Sequence, residues 1–241
     1  MGITRTTMRI TPTETLPMTN PDALALLRCL QLSSPGLPVG AYAYSQGLEW
    51  AVECGWVTSE ATLAGWLREQ LHAALGPLDV AVYARLFEAA AAGDDATLAR
   101  WNEILLAQRE TRELRADDCA RGAALCRLLR ELELAGTPAP DGEVSFAAAH
   151  ALAAVRWQLP LATAAPAYAW AWLEGQVIAG VKLIPLGQAA GQRLLFALGR
   201  ELPPVVADGL ARADDDIGGA LPALAIASCR HETQYTRLFR S

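Results

Sequence analysis

Apolar residues in this chain return at three- and four-residue intervals almost from end to end, and no stretch shows sustained two-residue alternation with β-branched enrichment. That feature rules out most folds. A period near 3.6 lays one stripe along a helix, whereas a half-buried strand needs apolar and polar residues in strict alternation. Between Ser59 and Gly76, residues Leu63, Trp66, Leu67, Gln70, Leu71 and Ala74 share one helical face. Ser59 stands where a cap is needed and Gly76-Pro77 where a helix stops. A second helix is expected over Leu78 to Ala92, closed by Gly93, and Asp94 or Asp95 then caps a long segment reaching about Glu133.

The middle of that segment, "RETRELRADDCAR", is mostly charged, with Arg109–Glu113 and Asp117–Arg121 at i, i+4 spacing. Composition favours a solvated face laced with weak ion pairs. A charged docking surface, or a kink between two helices, are the alternatives. "AGTPAPDGE" (Ala135 to Glu143) is the clearest internal loop. Ser145 caps a helix of small residues running up to Pro160, and others are expected from about Pro166 to Lys182 and from Pro185 to about Arg200. Pro203-Pro204 set off a short helix before the acidic loop "ADDDIGG", and a last helix covers about Leu221 to Phe239. The fold class is all-α: about ten helices in a single domain over 21–241, behind a flexible tail at 1–20 that is disordered or ordered by a partner.

The function classes this chain excludes follow from its charge and cysteines. Twenty Lys+Arg against 26 Asp+Glu give a net charge of −6 with no clustered basic surplus, so nucleic acid is not an expected partner. Lys182 is the lone lysine, and the abundance of arginine reads as coding bias rather than phosphate recognition. The five cysteines form no C-x-x-C pair, which fits a reducing compartment. The opening residues carry no apolar signal region, and "MGITRT" meets the loose myristoylation pattern only as chance would. The longest uncharged apolar stretch, Trp157 to Leu173, is broken by two prolines and falls short of the ~20 residues a bilayer requires. The expectation is a cytoplasmic protein with no membrane partner.

No catalytic constellation emerges. His72, His150 and His231 are too scattered for a paired-histidine motif, and Ser45 has no nucleophile elbow around it. "GQVIAGVK" (Gly175 to Lys182) misses a P-loop. Its lysine is displaced by one residue, Leu183 stands where a magnesium-binding hydroxyl belongs, and no strand precedes it. "CRHE" (Cys229 to Glu232) offers three ligand types at consecutive helical positions that face different ways. Cys229 and Glu232, at i, i+3, share one face, with Cys229 and His231 the weak metal candidates, and two ligands do not close a site.

Three stretches remain that packing alone does not explain. "SPGLPVGAYAYSQGLEWAVE" (Ser34 to Glu53) sets two tyrosines directly behind a proline-glycine turn. "AGVKLIPLGQAAGQ" (Ala179 to Gln192) puts the lone lysine at a helix end, and its Gly187 and Gly191 would let two helices approach closely. "CRHETQYTRLFRS" closes the sequence with arginines and aromatics, the residue types enriched at interface hot spots, where a chain end normally frays.

Together these stretches, with "QRETRELRADDCARGAA", resemble the urease accessory protein UreF family from about Leu27 to Ser241. The resemblance implies an all-α, commonly dimeric fold and a non-enzymatic role in maturing the nickel enzyme urease. UreF proteins bind UreD (also called UreH) and through it apo-urease, and recruit the GTPase UreG. The resemblance thus implies a chain without a cofactor of its own, nickel insertion being the work of the assembled complex. The candidate partner contacts are Tyr42, Tyr44, Gln46 and Glu49; Lys182, Gly187 and Gln188; and Arg230, His231, Glu232, Tyr235 and Arg237. Regulation of UreG's GTP hydrolysis, or conduction of nickel, are the alternatives to a bridging adaptor.

Overall fold

Short polar side chains start four of the eleven helices among the described residues. Ser59, Asp94, Thr111 and Ser145 each accept a hydrogen bond from the backbone N–H three residues on, satisfying a donor that the first helical turn leaves free. Ser59 and Thr62 form a reciprocal capping box, and Gly93 closes its helix in the left-handed conformation.

The computed structural model describes residues 20–133 and 142–241. The tail expected at 1–20 (except Asn20, which opens a helix) and residues 135–141 of the expected loop lie outside the described residues. Among the described residues there are eleven α-helices and no strand. They are α1 (Asn20–Ser33), α2 (Leu48–Glu53), α3 (Glu60–Gln70), α4 (Ala81–Ala92), α5 (Asp95–Ala107), α6 (Arg112–Glu131), α7 (Phe146–Arg156), α8 (Leu161–Leu183), α9 (Gln188–Gly199), α10 (Leu202–Ala211) and α11 (Pro222–His231). Helix α8 is the axis. It is buried on several sides through Ala164, Ala165, Ala169, Leu173 and Val177, and packs on α1, α9 and α10. The four-membered stack α5–α4–α7–α6 covers the other side.

Four expectations need correction. Gly76-Pro77 does not stop a helix: α3 continues through a ten-residue π-helical stretch, Leu71–Val80, into α4. The wider π turn takes in Pro77, and Gly76 serves close packing, since a Cβ there would lie 2.7 Å from Val205 Cγ1 on α10. The segment from Asp94 to Glu133 is two helices, broken at residues 108–111, so the kink alternative holds. Helix α8 begins at Leu161 with Pro166 inside it, and α9 begins at Gln188, three residues beyond Pro185. The last helix ends at His231; the ten residues after it take no helical form.

Candidate functional site

Residues 34–47 make a compact turn whose backbone only particular residues permit. Gly40 (φ 74°), Gln46 (φ 52°) and Gly47 (φ 80°) are left-handed, and Ala41–Ala43 form a single 3-10 turn. Gly47 is required twice over. Beyond its φ, a Cβ would stand 2.9 Å from the backbone nitrogen of Ser228, where α2 meets α11. Tyr42 and Tyr44 therefore lie in an irregular turn ahead of α2 rather than on the helix itself, Tyr42 71% exposed and Tyr44 half-buried.

The final ten residues fold back onto this turn. The Glu49 carboxylate, only 7% exposed, accepts hydrogen bonds from the backbone N–H of Leu238 (2.6 Å) and Phe239 (2.9 Å) and lies 3.1 Å from His231 Nε2. His231 Nδ1 sits 2.7 Å from Glu113, whose other oxygen takes Arg237 Nη1 at 2.8 Å. Each nitrogen of this buried imidazole faces a carboxylate, an arrangement two N–H donors satisfy. The Arg240 N–H donates to the Ala43 carbonyl, and the Ser241 carbonyl accepts from Ser45 N, Ser45 Oγ and Gln46 N at 2.6, 2.6 and 3.1 Å. Phe239 is buried beneath this clasp, while Leu238 and Tyr235 remain exposed.

Behind the turn lies a buried ionic network. Arg109 reaches Asp79 (2.5 Å) and Asp118 (2.8 Å), and Arg121 pairs with Asp117 at 2.6 Å. Burial works against the Arg109 charge, but the two aspartates outweigh it and hold the guanidinium well above its ordinary value. Burial likewise pushes the Asp118 carboxyl up, yet Arg109, Arg121 and the Phe146 N–H keep it below the usual carboxylate range. Gln46 belongs to this network. Its Nε2 donates to Asp117 (2.8 Å), and its Oε1 accepts from Trp172 (2.9 Å) and Gln176 (3.2 Å). Arg109, Asp117, Asp118 and Arg121 of the "RETRELRADDCAR" segment thus form a buried network of charges, while Glu110 and Arg112 keep the solvated face expected of it. Of the two pairs expected at i, i+4, Asp117–Arg121 forms; Arg109 and Glu113 turn to partners elsewhere in the chain. A cavity of about 120 Å3 lies beside these charges, with Asp79, Arg109 and Tyr168 in its wall.

The three unexplained stretches meet at one surface groove. Pro38 to Tyr44 form one wall, the outer side of α6 with Ala120, Ala124 and Arg127 another, and Leu238 to Arg240 a third, with Lys182 at its edge. Lys182 Nζ lies 5.8 Å from the centre of the Phe239 ring, close enough for a cation–π contact. Tyr42, Tyr44 and Lys182 therefore share a site that also contains the tail. Gly187, the residue before α9, and Gln188 are exposed outside its lining, as are Arg230 and Tyr235. Glu232 is half-buried, 4.0 Å from Arg112, and exposed Arg237 is spent on Glu113.

Of the expected contact set, Gln46, Glu49 and His231 commit polar atoms to bonds inside the chain. Close helix approach is served by Gly191, where a Cβ would sit 3.0 Å from Val181, and not by Gly187, which has open space around it. Cys229 is exposed whereas His231 is fully buried, and no group of three or more His, Cys, Asp or Glu among the described residues could hold a metal ion. Sequence reasoning missed Ser45, Glu113, Arg127 and Phe239. Ser45 sits in the turn ahead of α2 and Glu113 among charged neighbours on α6, so neither carried a local signal, and Arg127 on an exposed face had none.

No helix among the described residues is long and apolar enough to cross a membrane. The sequence profile of the UreF family matches residues 57–199. A urease accessory protein UreF of Pseudomonas putida (strain W619) is 56% identical over 220 residues, covering 90% of this chain and 98% of that protein. The proteins of the same description from Alkalilimnicola ehrlichii and Azoarcus sp. (strain BH72) are each 50% identical, over 225 and 232 residues, covering 92% of this chain and 98% and 99% of theirs.

Proposed function

The chain belongs to the UreF family of urease accessory proteins, and from that premise we propose that it is a non-enzymatic adaptor in urease maturation. In this reading it binds UreD (UreH), and through it apo-urease, on one side and recruits the GTPase UreG, so that GTP hydrolysis is coupled to nickel insertion. Nickel is cargo of the assembled complex. The chain brings no cofactor, works in the cytoplasm and pairs with a second copy of itself.

One observation supports this reading above the rest: three stretches far apart in sequence converge on a single open groove with Tyr42, Tyr44 and Lys182 at its rim. Tyrosines held in a rigid turn offer large amphipathic contact area at little entropic cost. The groove offers aromatic rings, cations and alanines, a surface suited to docking a partner.

The test is co-purification of UreD and UreG with the full chain, together with UreG's single-turnover GTPase rate with and without the chain and UreD. Capture of both proteins at an unchanged GTPase rate supports the adaptor. An altered rate favours the regulatory alternative, and failure to capture either protein ends the proposal.

A further inference from the structure

The groove has a charge pattern unlike the rest of the molecule. Arg127, Lys182 and Arg240 line it, and among the described residues no aspartate or glutamate does. All three are exposed, and none forms an ion pair among the described residues. Elsewhere arginines such as Arg68, Arg85, Arg115 and Arg193 close on a carboxylate at 2.5–2.9 Å. The chain as a whole carries −6, so an acidic approaching surface meets repulsion over most of the molecule and attraction here. The cations alternate with apolar surface from Tyr42, Tyr44 and exposed Leu238. With a volume of about 900 Å3, the groove has room for several side chains rather than a lone ion. Ala120 and Ala124, one turn apart on α6, leave space for a partner's backbone to come close.

We infer that this groove takes a carboxylate-bearing segment of a partner protein, its Asp or Glu side chains set against Arg127, Lys182 and Arg240 and its apolar residues against the tyrosines and Leu238. The inference rests on the adaptor reading and adds the chemistry of recognition. Cations at a rim chiefly raise association rate and select orientation, while the aromatic contacts slow departure.

The lone lysine makes the test sharp. A water-soluble carbodiimide activates a carboxylate, and an amine then displaces the activating group to leave an amide, so this chain can be joined to a partner's acid only through Lys182 or its N-terminal amine. Full-length chain mixed with UreD and with UreG is treated with the reagent, and adducts are mapped by mass spectrometry. The expected result is an amide between Lys182 and an Asp or Glu of one partner, absent in Lys182→Arg. Arg127→Glu and Arg240→Glu, at unchanged melting temperature, should each weaken capture about tenfold and flatten its salt dependence. Capture of a partner without a Lys182 adduct, or with affinity insensitive to both reversals, overturns the inference and leaves the adaptor standing. An adduct only to a second copy of this chain, or capture abolished by competing nucleic acid, also overturns it. No capture by the wild-type chain at any salt removes the adaptor reading and this inference together.

Discussion

Replacing Glu49 by glutamine should release the last ten residues without unfolding the helices. Glu49 holds two backbone donors and one imidazole nitrogen with a single carboxylate. Glutamine offers one acceptor oxygen, and its amide nitrogen would point a donor at another donor. Hydrogen bonds to a charged group contribute about 1.5–3 kcal/mol each, so losing two of them costs roughly 3–6 kcal/mol, comparable to breaking a buried ion pair. The chain has a cheaper response, which is to let the tail go. Its amides then return to water, at the expense of Phe239 burial, worth about 1.5–3 kcal/mol, and of the bonds to Ser45 and Ala43. Global stability can therefore fall by no more than the docking free energy of the tail. Hydrogen exchange at the amides of Leu238, Phe239 and Arg240 is the direct assay. Protection there should drop on the order of 100-fold or more while α4, α7 and α8 stay protected. The melting temperature should fall by less than the ~6–12 °C that a 3 kcal/mol global loss would produce in a chain of this size. Deleting residues 232–241 as well should leave the substitution little further effect, the non-additivity expected of groups acting on one element. Unchanged exchange at residues 238–240 in Glu49→Gln would refute the reasoning.

The buried His150 predicts acid sensitivity. Its Nδ1 lies 2.9 Å from Tyr83 Oη, and burial lowers its pKa to about 3, so the folded state resists the proton that the unfolded chain accepts below about 6.5. The stability this provides is complete above about pH 6.5 and is lost as pH falls toward 3, at roughly 2 kcal/mol by pH 5; urea unfolding of a His150→Phe/Tyr83→Phe double variant should show a shallower slope across that window, and an unchanged slope would count against the assignment. Gly122→Ala should cost ~3 kcal/mol or more, because the new Cβ would fall on the Val144 carbonyl where α6 meets the start of α7; a melting temperature within a degree or two of wild type would contradict that. Tyr42→Ala should stay within about 0.5 kcal/mol of wild type in stability yet weaken partner capture by ~2 kcal/mol, as titration against UreD and UreG would reveal. Lys182→Arg keeps the charge at the end of α8 and should be near-neutral in thermal unfolding but impaired in GTP-dependent urease activation; wild-type activation would show that the charge at 182, and not the compact ammonium, is what matters.

Signals that act over three or four residues were legible. Ser59, Gly93, Asp94 and Ser145 mark real helix boundaries because a cap is satisfied by its own next turn. Signals that depend on distant partners misled. Arg109 looked solvated beside Glu113, but Asp79, thirty residues away, claims it. Pro77 looked like a stop, because its tolerance rests on a π turn packed against α10. The helix expected to reach Phe239 ends at His231, since the amides of Leu238 and Phe239 bond to Glu49 rather than to carbonyls four residues back. For the site, Tyr42, Tyr44 and Lys182 were readable as residues out of keeping with their surroundings. That the tail would complete their groove depends on a contact 196 residues long in sequence, which no local pattern encodes.

That contact also orders events in time. During synthesis the turn around Tyr42 emerges early, but Ser45 and Gln46 wait for the carbonyl of Ser241. At translation rates of about 5–20 residues per second, the wait is on the order of 10–40 s. Until then the groove lacks the wall formed by Leu238 to Arg240, and Glu49 lacks its two backbone donors. A chain that stalls or is clipped short of this segment would carry the helices without the finished surface, so a partner that reads the groove is also reading whether synthesis has passed Ser241.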